Sequence, residues 1–229
     1  MIRKTLAAAA IATALIAPQF AISKLAHAQN ATVLTYTGML GDSTRMGNQT
    51  FTITAGTKPD SYSMQGKVNL EFDYRLLLYS THIINQSNYT ETWESGKLIS
   101  FRGTTRDRDD NYAIEFAGGS VTATKNKDKP QTKQVGADIA PASFWLEGWF
   151  MKTPHTQYIS TNSGKVKSAK PPKLEGQQTV NFRNQQVKVN YYTMDFDGEK
   201  YEFWYLADSG LLFKRVEPSE GGKVSFTLQ

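Results

Sequence analysis

Two short stretches of this chain hold an acid two places before a tryptophan and then run into a Ser-Gly turn: Glu91-Thr92-Trp93 and Glu202-Phe203-Trp204. Glycoside hydrolysis needs two carboxylates flanking one bond, so Glu91 and Glu202 are the pair such chemistry would use. The competing reading puts each acid on a strand beside its Trp, in a surface ion pair. Other chemistries find fewer groups. The only histidines after residue 28 are His82 and His155, 73 positions apart, with no H-E-x-x-H and no Cys anywhere, which leaves a zinc-type site without ligands. Asp107-x-Asp109-x-Asn111 imitates the start of an EF-hand loop, but the sixth and twelfth places hold Tyr112 and Gly118 rather than Gly and Glu. No G-x-S-x-G marks a nucleophilic serine, and phosphate-loop and dinucleotide patterns are absent. The expectation is therefore a protein that is not an enzyme and has no cofactor or metal.

The elements that must position these residues are strands. Both acid-x-Trp stretches run into a Ser-Gly turn, Ser95-Gly96 and Ser209-Gly210, and then into a returning apolar segment, which is a hairpin signal. Val68, Leu70, Phe72 and Tyr74 alternate with Asn69, Glu71, Asp73 and Arg75, the pattern of a half-buried strand. The run Leu76 to Tyr79 breaks that alternation as a bend or a single helical turn. Residues 156–160 and 165–168 flank Asn162-Ser163-Gly164 and read as another hairpin.

Asp197-Gly198 suits a two-residue type I′ turn. It sets Phe196 opposite Glu199, Asp195 opposite Lys200, Met194 opposite Tyr201, Tyr192 opposite Phe203 and Tyr191 opposite Trp204. One face then collects Tyr192, Met194, Phe196, Tyr201, Phe203 and Tyr205, and puts Glu202 and Trp204 on the other, more polar face. The aromatic segment from Pro141 to Met151 contains Phe144, Trp145, Trp149 and Phe150, and Pro141 suits a first helical position. The expected fold is all-β. A strongly curved antiparallel meander forms a half-barrel or barrel, with one short helix near 141–151 set against the opening or the concave face.

The N-terminus has a different character. Arg3 and Lys4 precede an apolar run from Leu6 to Ala17, and Ala26-His27-Ala28 has the A-x-A form of a cleavage site. This order predicts a signal peptide over 1–28, cut between Ala28 and Gln29, ahead of a single β-rich domain over 29–229. The apolar run is short of the roughly 20 residues a spanning helix needs. Removing Arg3, Lys4 and Lys24 from the 26 basic residues leaves 23 against 21 acidic ones, a net charge of +2. That is too balanced for a nucleic-acid footprint, which needs clustered cations. The lysines at 125–129 and 165–173 read as solvated loops, with anionic lipid headgroups as the alternative contact.

Four segments taken together carry a resemblance: Glu91-Thr92-Trp93-Glu94-Ser95-Gly96-Lys97-Leu98, Pro141-Ala142-Ser143-Phe144-Trp145, Ser163-Gly164-Lys165-Val166, and Trp204 through Leu211. In order and spacing they resemble a family of exported proteobacterial proteins described only as domains of unknown function. The resemblance implies a periplasmic location and a β-rich fold similar to lipoprotein-carrier half-barrels, and it supplies no catalytic residues.

The chain's aromatic content, 12% of its residues, leads to the functional expectation. A sheet curved around aromatic side chains either fills its own core or holds an apolar ligand. The expected protein is soluble, periplasmic and not an integral membrane protein. It binds or carries an apolar or amphipathic molecule such as a lipid on a concave face that includes Tyr192, Met194, Phe203, Tyr205, Phe144, Trp145 and Trp149. The alternative is an envelope assembly protein that binds a partner protein through a sheet edge or hairpin surface. A third reading is an enzyme of envelope polymers working through Glu91 or Glu202.

Overall fold

A computed structural model describes residues 31–76, 79–153, 155–219 and 222–229. The expected signal segment 1–28, with Ala28 and Gln29, lies outside the described residues. The first eight strands are β1 (Thr32–Leu40), β2 (Thr44–Ala55), β3 (Ser61–Leu76), β4 (Tyr79–Glu94), β5 (Lys97–Asp107), β6 (Asp110–Ala117), β7 (Ser120–Lys125) and β8 (Gln131–Gln134). A compact middle section follows: β9 (Ala140–Pro141), the helix α1 (Glu147–Phe150), β10 (Gln157–Ile159) and β11 (Val166–Ser168). The chain ends with β12 (Lys173–Phe182), β13 (Gln185–Phe196), β14 (Glu199–Leu206), β15 (Leu212–Ser219) and β16 (Gly222–Leu228).

Thirteen strands form one antiparallel sheet in the order β12-β13-β14-β15-β16-β1-β2-β3-β4-β5-β6-β7-β8. Every neighbour follows its predecessor in the chain except at β16–β1, where the two ends of the domain meet, with Tyr36 opposite Leu228 and Leu40 opposite Val224. Among the described residues no pairing joins β8 to β12, so the meander curls round without closing.

The local chemistry accounts for much of the register. Asp197 and Gly198 both take positive φ, 58° and 84°, as a type I′ turn requires. All five expected pairs across β13 and β14 are present, from Phe196–Glu199 to Tyr191–Trp204. Along β3, Val68 and Leu70 point inward while Lys67, Asn69 and Glu71 are exposed. Leu76 and Tyr79 pair at the ends of β3 and β4, and residues 77 and 78 of the expected bend or helical turn lie outside the described residues. Gly66, Tyr89 and Gly103 lie abreast on β3, β4 and β5. A Cβ on Gly66 would stand 2.2 Å from the Tyr89 ring, so only glycine lets that ring lie across the neighbouring strand.

The middle section is folded into the concavity. The second sheet, β11-β10-β9, holds Ala140–Pro141 parallel to Tyr158–Ile159. Pro141 thus belongs to a strand instead of opening a helix. The helix expected near 141–151 is confined to Glu147–Phe150. Backbone bonds tie this section to the large sheet: Glu147 N–H donates to Gly210 O (2.8 Å) and Leu212 N–H to Trp145 O (3.1 Å). Among the described residues no helix is long and apolar enough to cross a membrane.

Candidate functional site

The seven aromatic and methionine residues expected to face a ligand converge, and they pack on one another. Tyr192, Met194, Phe203, Tyr205, Phe144, Trp145 and Trp149 are all buried. Phe144 lies 4.8 Å from Phe203, Trp145 5.2 Å from Trp149, and Tyr192 6.1 Å from Tyr205, centroid to centroid. Tyr205 O–H donates to Phe144 O (2.9 Å) and Tyr192 O–H to Glu147 Oε1 (2.7 Å). Glu147 also accepts from Asn190 Nδ2 (2.9 Å) and Lys152 Nζ (3.0 Å), so this buried acid is fully engaged in holding α1 to β13. The middle section therefore fills one half of the concavity with its own side chains.

Glu91 stands inside that filled half. Tyr89, Glu91 and Trp93 alternate inward along β4, and Glu91 is completely buried. Its Oε2 accepts from both Trp93 Nε1 (2.8 Å) and Trp145 Nε1 (3.1 Å). Burial raises the Glu91 carboxyl to about 7, against hydrogen bonding from Trp93, Ser143 and Trp145 that lowers it. Ser143 lies near enough to contribute, although neither Ser143 Oγ nor Glu91 Oε1 makes a well-formed hydrogen bond. Glu202 has the opposite surroundings. It lies on the outer face of β14, accepts from Lys223 Nζ (2.9 Å) and Tyr191 O–H (2.8 Å), and is held below the usual carboxylate range chiefly by Lys223. The two acids share no site, so the geometry offers no carboxylate pair for glycoside hydrolysis.

The histidines are also separated. His82 is exposed and pairs with Asp73 (2.9 Å) and Glu71 (3.3 Å), while His155 is buried, with Nε2 2.7 Å from Trp149 O. Among the described residues no three His, Asp or Glu side chains group as a metal site.

The other half of the concavity is open. A cleft of about 910 Å³ runs between β1–β3, β15–β16 and the Ser160–Asn162 turn. Leu40, Met46, Val68, Leu70, Val224 and Phe226 form apolar walls, and Phe144 and Phe196 close the side toward the filled half. Of the seven expected ligand residues only Phe144 lines this space.

Two polar side chains reach the cleft from the buried layer, Gln49 and Arg215. The Arg215 guanidinium lies 4.6 Å over the Phe226 ring, and its Nε is 3.2 Å from Glu217 Oε2. Gln49 Nε2 donates to the Tyr89 hydroxyl oxygen, Oη (3.4 Å). Burial pushes the hydroxyls of Tyr36, Tyr89, Tyr201 and Tyr205 upward, and the Arg215 charge opposes this at each. One cation thus projects its field across the interior. Neither residue figured in the sequence reading, but both left a signal in it. Gln49 is in phase with Phe51 and Ile53, and Arg215 is in phase with Phe213. A second hollow, about 660 Å³, lies on the outward side and is lined by Thr50, Lys67, Thr90, Arg102, Glu115 and Thr122 among others.

The fold has a counterpart of known structure. It is similar to the crystal structure of a β-barrel-like protein of domain of unknown function DUF1849 from Brucella abortus, with a TM-score of 0.58 at 11% identity over 87% of this chain and 96% of that one. At that identity the likeness is one of fold. None of the curated proteins matches the chain in sequence. The family model for the domain of unknown function DUF6134 matches residues 36–229, which takes in nearly all of the sheet, the inserted helix and the cleft, and the chain belongs to that family.

Proposed function

We propose that this chain is an exported periplasmic binding protein that takes the apolar part of an amphipathic small molecule into the interior cleft and performs no chemistry on it. One observation carries the reading: half of the concavity is packed solid, while the other half keeps a cleft of about 910 Å³ that joins a patch of buried apolar side chains, Leu40, Met46, Val68, Leu70, Val224 and Phe226, to a polar lining. That volume lies within the roughly 300–1,000 Å³ range of small-molecule sites, and a lining divided between apolar and polar side chains suits an amphipathic molecule. The aromatic residues first expected to touch the ligand brace the cleft from behind, with Phe144 at the boundary.

Native mass spectrometry of protein purified from the periplasm tests this. The expected result is a co-purified small molecule that is lost when Leu70→Trp or Val224→Trp fills the cleft. Protein that carries no bound mass and takes up no added amphipath would sink the reading.

A second reading rests on β12. Among the described residues its outer edge is unpaired, and it is largely exposed, with Leu174 56% accessible; open edges are templates for strand addition by a partner. The same spectra would report it as a protein complex without small-molecule cargo.

A further inference from the structure

We infer that the molecule held in the cleft carries an anionic oxygen head group, received by Arg215 with the Gln49 amide beside it. This rests on the binding reading above and deepens it.

Buried polar atoms are almost always hydrogen-bonded, and leaving one unpaired is costly. Two side-chain atoms of the cleft's buried lining break that rule: Arg215 Nε, a donor, and Gln49 Oε1 have no hydrogen-bond partner. The acid that accompanies Arg215, Glu217, does not satisfy it. Glu217 is 27% exposed, and its 3.2 Å approach to Nε lacks hydrogen-bond alignment. A guanidinium offers five N–H donors in a planar fork shaped for a carboxylate or phosphate.

Gln49 is suited to the same ligand. Turned over, its amide accepts from the Tyr89 hydroxyl and offers Nε2 to the cleft, so the side chain can present either a donor or an acceptor without losing its neighbour. Charge distribution fixes the sign. Acids and bases are mixed at the mouth, where Asp107, Asp109, Asp110 and Glu217 accompany Arg108 and Lys167. Among the described residues that line the cleft, Arg215 alone is both charged and buried. A patch of buried apolar side chains with a single buried cation lying over one of them, Phe226, matches one apolar chain with one anionic head. It does not match a cationic or neutral amphipath.

Titration calorimetry on the purified, delipidated protein separates these possibilities. Dodecanoate, dodecyl phosphate, dodecanol and dodecyltrimethylammonium would each be added below micelle formation. At least one of the two anions should bind about tenfold or more tighter than the alcohol, the scale of one charge-assisted hydrogen bond, and the cation should bind weakest. The ranking of the two anions then shows whether the head is a carboxylate or a phosphate. Arg215→Met should bring the anions down to the level of the alcohol while leaving dodecanol binding unchanged. Gln49→Leu should weaken the anions by a smaller factor. Equal binding of acid, alcohol and cation overturns the head-group inference and leaves the binding reading standing, whereas no binding of any of the four overturns both. Should Arg215→Met fail to fold, the wild-type series decides alone.

Discussion

The two Glu-x-Trp hairpins are alike in sequence and opposite in structure. Glu91 and Trp93 face the interior, where both are fully buried, and the Trp93 indole stacks 4.8 Å from Trp149. Glu202 and Trp204 face outward, where Trp204 stacks 4.8 Å from Tyr191 beneath Lys214 and donates to Gln178 Oε1 (3.0 Å). The difference is one of parity. Tyr89, Glu91 and Trp93 form the inward set of β4, where the two aromatic residues carry the acid inside with them, and Thr90 and Thr92 lie outside. On β14 the apolar set is Tyr201, Phe203 and Tyr205, which leaves Glu202 and Trp204 on the other face. A strand shows alternate residues to alternate faces, so the same motif is core or surface according to its neighbours.

Truncating the two tryptophans should break this symmetry most visibly. Trp93→Ala should cost about 3–5 kcal/mol, as for a large aromatic removed from a packed core. Trp204→Ala should cost about 1 kcal/mol or less, the scale of a cross-strand pair. Urea unfolding of both variants checks this, and equal costs would refute the inside–outside assignment.

The acids should differ in the sign of their pH dependence. With the Glu91 carboxyl raised from 4.5 to about 7, the native state keeps a proton that the unfolded chain has released between those values. Its contribution to stability is therefore largest below about pH 4.5, falls as pH rises toward about 7, and is flat above. The change is on the order of 3 kcal/mol at about 1.4 per pH unit. Glu202, held low by Lys223, stabilises above its unfolded pKa and loses that contribution as pH falls through its native one. Urea midpoints measured across this pH window should show the Glu91 slope disappear in Glu91→Gln and persist in Glu202→Gln.

Glycines beside the two hairpins should separate by a smaller margin. Gly66→Ala forces a methyl into the Tyr89 ring, and overpacking of this kind costs roughly 1–3 kcal/mol. At Gly198, where a Cβ would meet nothing within 4 Å, alanine should cost only the positive-φ penalty, about 1 kcal/mol. Thermal melts of the two variants give the order. The smallest effect belongs to the Lys223–Glu202 pair, whose lysine is 73% exposed. A double-mutant cycle there should return about 0–1 kcal/mol, declining with salt.

Much of the fold was legible because its signals are local. Asp197-Gly198 fixed a five-pair register, the alternation at Val68 and Leu70 fixed a face, and Asn162-Ser163-Gly164 marked the hairpin of β10 and β11. The candidate site was less legible. Tyr89 and Trp93 did carry the information that Glu91 faces inward, since both are in phase with it, but the likeness to Glu202-Phe203-Trp204 masked it. A short helix does lie within 141–151, but its start was not legible, because Pro141 suits a helix start as well as a strand and only pairing with Ile159 decides between them. Arg215 sits between Lys214 and Val216, with Phe213 in phase with it and Val216 out of phase, so its face is ambiguous without a partner strand.

By itself the sequence determined the all-β class, the meander order and the places where the chain turns, because each depends on residues a few positions apart. The tertiary structure decided which half of the concavity is filled. The section from Ala140 to Ser168 reaches sheet residues far away in the chain: Glu147 meets Tyr192, and Trp145 meets Glu91. Where that section packs, the aromatic residues become core. Where it does not, Leu70, Val224 and the buried charge of Arg215 are left facing open space. Periodicity tells which residues point inward, and only the volume of what lies opposite determines whether they meet a neighbour or a cleft.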